Sequence, residues 1–340
     1  MFSEVTRQQF RRFREVRRAW YSCWILFVAY LLSLFSEHLA NDRPLILGYE
    51  DRLYFPTLKF YSSETFGGPH RTEASYLALE NDPAFRAKQG WMFFPLIKAY
   101  PLRSYLDQAG APPHPPSARH WLGTDDSARD VLARLLYGFR IGMSFALALA
   151  AIGTFIGIVI GGVQGYLGGY FDLTAQRLIE IWSALPFLYV VILVGSIYGQ
   201  NFTVLIFVFS LFQWIGLSYY MRGEFFRLKN QTFVQAAQAL GASHVRTLFR
   251  HILPNALNPV VTILPFSLIG GISSLTALDF LGFGLPPPTP SWGELLHQGL
   301  KYLDAPWLAI ASVLALFATL LLASFVGEGA RAAFDPKSTN

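Results

Sequence analysis

Long apolar runs alternate with polar segments along most of this chain. A helix needs about 20 mostly apolar residues to cross the hydrocarbon core of a bilayer. Six stretches meet that length, at residues 20–39, 141–166, 178–197, 202–220, 259–281 and 306–326. The second is rich in small residues, among them Gly153, Gly157, Gly161 and Gly162. The third and fifth contain Pro186 and Pro265, and Gly270 and Gly271 also lie in the fifth. Proline frees a backbone carbonyl and kinks a span, and such breaks are tolerated where they line a cavity. The pattern predicts an all-α integral membrane protein of six transmembrane helices.

The basic residues orient these helices. Arg7, Arg11, Arg12, Arg14, Arg17 and Arg18 precede the first run. Arg222, Arg227, Lys229, Arg246 and Arg250 fall between the fourth and fifth. Positive charge marks cytosolic segments, and with six spans both groups lie on the same side. The N-terminus and C-terminus are then both cytosolic. Residues 1–19 read as a basic N-terminal segment, 20–40 as an anchor helix, 139–327 as a five-helix core and 328–340 as a tail. The basic residues and apolar run at the start resemble a secretory leader, but SEHLAND is a poor cleavage site, so the helix is read as uncleaved.

Composition agrees with membrane embedding. The 340 residues are 53% hydrophobic and 14% charged, against roughly 25% charged in soluble domains. The net charge of +5 is small and does not point to nucleic acid. The lone Cys23 allows no disulfide within the chain. Residues 41–138 form a polar, aromatic-rich segment that long-loop translocation places outside the cytosol. Its stretch APPHPPSA reads as an extended connector. The remainder is compatible with either a small folded insertion or an ordered lid.

One polar segment, QAAQALGASHVRTLFRHILPN at 235–255, stands between two apolar runs. A span cannot carry Arg246, Arg250 and His251 on one short helix without large cost. Ala236, Ala237, Ala239 and Leu240 are strong helix formers, and Gly241 suits a C-terminal cap. A second helix is expected to carry Val245, Leu248, Phe249 and Ile252 on one face and to end at Pro254. The physics alone leaves two readings open: a docking helix-turn-helix, or an interfacial amphipathic helix.

The same segment resembles the EAA loop of bacterial ABC importer permeases, in which E-A-A is followed after three residues by Gly and then by an I-x-L-P ending. Ala236, Ala237, Gly241, Leu253 and Pro254 match, while Gln235 replaces the Glu and His251 the first Ile. Other stretches are similar to the dipeptide and oligopeptide branch: WLGTDDSARDVLARLLYGFRIG, GYLGGYFDLTAQRLIEIWSALP, LDFLGFGLPPPTPSWGELL and the terminal GEGARAAFDPK. The long outer segment, with NDRPLIL and YFPTLKFYSSETFGGP, resembles the Yej-type oligopeptide and microcin C importer permeases.

Within these motifs the residues have readable local roles. Thr124 or Asp125 could cap a helix whose Leu132, Leu135 and Leu136 face the bundle. Gly168 and Gly169 suit a tight turn, Asp172 could cap the third helix, and Arg177 follows within its first turn or so. Glu180 is read as stabilised by a helix N-terminus or as a buried gate or proton group. Asp279 stands where the family often has a small polar residue.

The resemblance implies a type I ABC importer permease fold with a long periplasmic insertion between helices one and two, in the bacterial inner membrane. It implies that Gln235, Ala236, Ala237, Ala239, Leu240 and Gly241, within a cytosolic loop at 222–255, couple the chain to a separate ATPase. It also implies a second permease subunit in a heterodimer, a periplasmic substrate-binding protein, a peptide substrate and contact with membrane lipid. Candidate residues along the path are Trp182, Pro186, Phe187, Phe266, Ser267, Ser273 and Ser274. No GxxxxGK[ST] occurs, so no cofactor is expected on this chain and ATP would sit on the partner. A membrane-embedded enzyme acting at the periplasmic face is the rival class. Asp125, Asp126, Asp130, His114 and His120 would face outward for it, with Asp125 and Asp126 in a solvated turn, but no H-E-x-x-H, Cys/His metal spacing or G-x-S-x-G accompanies them. A purely scaffolding protein leaves the polar helix-turn-helix unexplained.

A reporter fused near Lys59 should be active only outside the cytosol. Cytosolic activity at that fusion would reverse the orientation.

Overall fold

The computed structural model describes residues 4–334. Asp335, Pro336 and Lys337 of the terminal motif, and the end of the expected tail, lie outside them. The chain divides into two compact units: Met1–Val28, Gly142–Pro286 and Phe317–Asn340 in one, Ala29–Ile141 and Pro287–Leu316 in the other.

The helical elements follow the apolar runs. They are α1 (Glu4–Glu15), α2 (Arg17–Leu34), α3 (Val131–Leu167), α4 (Gly169–Ser183), α5 (Phe187–Tyr198), α6 (Phe202–Lys229), α7 (Thr232–Ala239), α8 (Asn258–Phe280), α9 (Trp292–Lys301) and α10 (Pro306–Phe334). Four of them, α3, α6, α8 and α10, are long and apolar enough to cross a membrane. The bent pair α4–α5 makes a fifth if it is one span. The expected anchor at 20–39 is α2, which ends at Leu34 before a separate short helix at Ser36–Leu39, and it is not one of these four. Its apolar side chains Tyr21, Ile25, Phe27 and Leu32 are nonetheless exposed.

The third expected span is not continuous. Residues 184–186 interrupt it, and the two halves are bent by 69°. Pro186 lacks the N–H and stands in extended backbone at the start of α5. Pro265, by contrast, sits inside α8 without ending it. The turn into α4 uses positive φ at Gly168 (67°) and Gly169 (57°), as their residue type suggests. Asp172 does not cap α4; Gly168 holds the cap position, with no side-chain bond. Because α4 starts at Gly169, Arg177 lies beyond its first turn and Glu180 is near its C-terminal end. The N-terminal dipole therefore cannot explain Glu180, which pairs with Arg177 (2.6 Å) instead.

The glycines of α3 explain how the first unit packs. Gly153, Gly157, Gly161 and Gly165 recur every four residues and face α6 at Gln213, Leu217, Ser218 and Arg222. Small residues at this spacing let two helix backbones approach in lipid, where no hydrophobic force draws helices together. A Cβ on Gly161 would overlap the Ser218 carbonyl and lie 2.9 Å from Met221 Cβ. Gly271 of α8 approaches Ala146 of α3 in the same way.

The second unit corrects the all-α expectation. Residues 41–138 fold into a small insertion with a three-stranded antiparallel sheet, β1 (Ile46–Tyr49), β2 (Arg52–Tyr54) and β3 (Trp91–Phe93), in the order β2-β1-β3. Leu47 pairs with Tyr54 on one side and Met92 on the other. Its core is aromatic: Tyr49 stacks on Phe85 at 5.3 Å, and Phe66, Tyr76 and Phe94 complete it. The connector at 111–118 has neither helix nor strand. A second cluster packs Ala40, Ala99 and Tyr105 against Ala133 and Tyr137, fastening the insertion to the first turns of α3.

Gly161→Leu should force the α3–α6 backbones apart at a cost of about 1–3 kcal/mol. Thermal unfolding in detergent should show a clear loss for Gly161→Leu and little change for Gly216→Leu, where nothing lies within 4 Å.

Candidate functional site

The polar segment at 235–255 forms a cap on the ends of α6 and α8. Within α7 only Val234 is buried. It enters a cluster made by Leu217, Met221, Phe225 and Leu228 of α6 together with Ile252, Ala256 and Val260. That single anchor leaves Gln235, Ala236, Ala239 and Leu240 exposed and Ala237 half-buried. Leu240 is 90% exposed, far more than burial of apolar surface favours in an isolated subunit.

Gly241 ends α7 as its residue type predicts. Its φ is +84°, and the N–H groups of Gly241 and Ala242 donate to the carbonyls of Gln238 (2.9 Å) and Ala237 (3.0 Å). This paired pattern closes the helix by turning one residue left-handed. Gln235 donates from Nε2 to the Asn230 carbonyl at 3.3 Å. A glutamate at this position could not make that bond, since its carboxylate only accepts. His244 Nδ1 meets the Tyr166 hydroxyl at 2.7 Å and ties the loop to the end of α3.

The second helix departs from expectation. Thr247–Ile252 is a π-helical turn, and the chain continues through a helical turn at Leu253–Ala256 into α8. Pro254 does not end it, because it occupies the first turn, where its missing N–H breaks no hydrogen bond. The wider turn also breaks up the expected apolar face. Ile252 is buried and Leu248 packs against the cluster, but Val245 and Phe249 are 67% and 61% exposed. With Leu240 they add apolar surface to the outer side of the loop.

The candidate path residues fall into separate groups. Trp182 donates from Nε1 to the Leu211 carbonyl (2.8 Å) and stacks on Phe212, while Phe187 meets Phe209 at 4.8 Å and also Phe212. These aromatics flank the break at Pro186, which is exposed. Phe266 instead packs against Gly327, with the Arg331 guanidinium 5.3 Å from its ring centre. The Ser267 hydroxyl donates within its own helix to Ile263 (3.4 Å). Ser273 is half-buried and Ser274 exposed.

Two ionic features were not anticipated from the sequence. Asp172 receives both arms of Arg222, at 2.5 and 2.6 Å, joining α4 to α6. In the second unit, Arg129 contacts Asp125 (2.7 Å) and Glu294 (3.1 Å), and Arg134 contacts Asp125 (3.3 Å), Glu294 and the Pro288 carbonyl (3.1 Å). The cue was present in two arginines and a glutamate within otherwise apolar motifs, but nothing in the linear order pairs Arg134 with Glu294. This network consumes the carboxylates proposed to face outward. His114, His120, Asp125 and Asp130 are all buried, so Asp125 is not in a solvated turn, and His120 Nδ1 meets Asp130 at 2.8 Å. Asp130, not Thr124 or Asp125, caps α3 by accepting from the Ala133 N–H at 2.7 Å. Asp279 is buried too and accepts from the Leu285 N–H (2.7 Å), which fixes the turn after α8.

The second unit contains a partly open polar cavity of about 440 Å³ whose walls include the ion pairs Arg43–Glu73 and Arg103–Asp42. Burial pushes the Tyr76 phenol well above its usual range, and Glu73 adds to the shift. Tyr105 is raised likewise by burial and then by Asp42. Nearby, a hydrogen bond from Arg119 holds the Asp107 carboxyl below the usual carboxylate range.

Long apolar helices, one bent helix pair and a polar loop that leaves apolar side chains uncovered together define a helical membrane protein. The chain belongs to the family of binding-protein-dependent transport system inner membrane components, whose sequence profile matches residues 135–340. It is 45% identical over 338 residues to the inner membrane ABC transporter permease protein YejE of Escherichia coli (strain K12), covering 98% of each chain. It is 39% identical to the peptidoglycan transport system permease protein YejE of Agrobacterium fabrum, covering 99% of this chain and 94% of that one. The oligopeptide transport system permease protein OppC of Haemophilus influenzae is 38% identical over 64% of this chain and 70% of its own. The protein is therefore the multi-pass inner-membrane permease of an ABC importer, related to peptide transporters, and not an enzyme. Membership implies an ATPase and a binding protein as partners.

Arg134→Met should leave Asp125 and Glu294 buried with Arg129 as their remaining cation, at a cost of about 3 kcal/mol, the low end for a broken buried pair. Unfolding of the purified chain in detergent should show that loss. Adding Glu294→Leu to it should recover part of the stability.

Proposed function

We propose that this permease carries oligopeptides or peptide-like compounds across the inner membrane, driven by ATP hydrolysis on a separate subunit docked against Gln235–Gly241. The observation that carries the coupling role is α7 itself: a short helix held by one buried residue, with Leu240 and the small side chains Ala236 and Ala239 turned outward. A cleft in the ATPase can accept small side chains closely and cover Leu240, Val245 and Phe249. Gln235 docks by shape, its amide already turned back to Asn230.

The substrate class rests on the relatives, whose names speak of oligopeptide and peptidoglycan transport. Both are compatible with a peptide-bearing compound, and microcin C is a specific candidate within that class. In this reading α2 is the first of six spans and α4–α5 one bent span, both termini are cytosolic, and residues 41–138 face the periplasm where the binding protein delivers substrate. A second, different permease subunit completes the path, and lipid surrounds the pair. Trp182, Pro186, Phe187, Phe266, Ser267, Ser273 and Ser274 are assigned to that path, with the Pro186 break as its hinge.

Gly241→Val places a β-branched residue at φ +84°, which only glycine adopts without strain. The variant should insert normally, yet in proteoliposomes containing the whole transporter, peptide uptake per ATP hydrolysed should fall at least about tenfold, the equivalent of 1.4 kcal/mol of lost coupling. A bulky replacement of Ala237 should do the same. Normal uptake by both variants would remove the coupling role.

A further inference from the structure

A pocket of about 470 Å³ opens where α6 ends, α8 begins and α10 ends, on the side of the bundle that carries α7. Ligand pockets span about 300–1,000 Å³, so the space suits a small molecule or a headgroup. Two guanidiniums reach it, Arg227 and Arg331, against one carboxylate, Glu224. Glu224 is engaged by Arg227 at 3.0 and 2.5 Å. Arg331 makes no ion pair among the described residues and rests only on the Phe266 ring. Among the described residues the pocket thus keeps one uncompensated positive charge. Asn255 and Asn258 add neutral polar groups, while Leu228, Phe233 and Phe334 form apolar wall.

We propose that this pocket binds the phosphate headgroup of an anionic phospholipid. The location selects that ligand. Three candidate spans present their ends here, and the end of a span is where hydrocarbon gives way to headgroups. Basic pockets between spans attract anionic headgroups at this level. A guanidinium matches phosphate oxygens geometrically, and the apolar wall matches the glycerol and the first methylenes behind them. A free phosphate would gain nothing from Leu228, Phe233 and Phe334. The placement also has a consequence for coupling. Phe233 belongs to the first turn of α7 and adjoins Val234, its single anchor, so a bound headgroup braces the helix that faces the ATPase.

The test uses the full-length chain in detergent, offered phosphatidylglycerol or phosphatidylethanolamine of identical acyl chains and read by native mass spectrometry. The wild type should retain one phosphatidylglycerol with a preference of about fivefold, as expected for one uncompensated basic group near a headgroup. Arg227→Gln with Arg331→Gln should remove the preference, and the corresponding Lys pair should keep most of it. Thr262→Trp fills the pocket and leaves every charge in place. It should also abolish retention, and it decides the matter if the Gln pair does not fold. Equal retention of the two lipids by the wild type, undiminished preference in the Gln or Trp variants, or displacement by excess inorganic phosphate would each overturn the proposal. None of these readouts depends on which compound is transported.

Discussion

Hydrocarbon supplies no hydrogen bonds, and the arrangement of this chain follows from that. Every backbone group inside the bilayer must be satisfied within a helix, and every charge must leave the core or find a partner. Four candidate spans are accordingly long uninterrupted helices, and their charged residues lie toward the ends. Where a helix does break, at residues 184–186, the aromatics Trp182 and Phe187 flank an exposed gap, and Trp182 bonds to the Leu211 carbonyl. The same requirement explains the glycine row on α3. With no hydrophobic force to draw helices together in lipid, close backbone contact against α6 supplies the attraction.

At the far ends of the spans the constraint relaxes, and specific polar chemistry takes over. Around α7 the protein keeps an apolar surface that it does not bury itself, held by Val234 and closed by Gly241. In the second unit it does the reverse. Charges that a sequence reading places in water are drawn inside and neutralised around Arg134 and Glu294. Buried ion pairs of this sort contribute little net stability, but losing one partner is costly, so they act as a latch between distant segments. The insertion adds its own aromatic core and a small sheet, and it is fastened to the start of α3 through Tyr105 and Tyr137.

Much of the molecule could be read along the chain. The expected runs at 141–166, 202–220 and 306–326 lie within long helices, and that at 259–281 overruns its helix by one residue, because length and hydropathy are local properties. Gly241 and the Gly168–Gly169 turn were legible because positive φ is a property of the residue itself. The errors have more than one cause: a partner far away in sequence in one case, and local departures of the backbone from the expected helix in the others. Asp172 resembled a cap until Arg222, fifty positions later, claimed it. Glu180 was assigned to a helix start that lies eleven residues earlier, at Gly169. The π-helical turn at Thr247–Ile252 shifted Val245 and Phe249 away from the face that an ordinary α-helical period predicts.

The sequence by itself determined that this is a membrane protein, where most of its long apolar helices lie, and that the polar segment at 235–255 is set apart from them. Hydropathy, charge and residue-specific backbone preference act over a few residues, so they survive in one dimension. The tertiary structure alone decided that the apolar run at 178–197 is bent by 69°, that residues 41–138 contain a sheet, and that Arg134 and Glu294 meet. It also showed that α7 is held by one side chain and leaves Leu240 uncovered. Strand pairing, ion pairing and burial are set by which distant residues the fold brings together, and no local pattern records that choice.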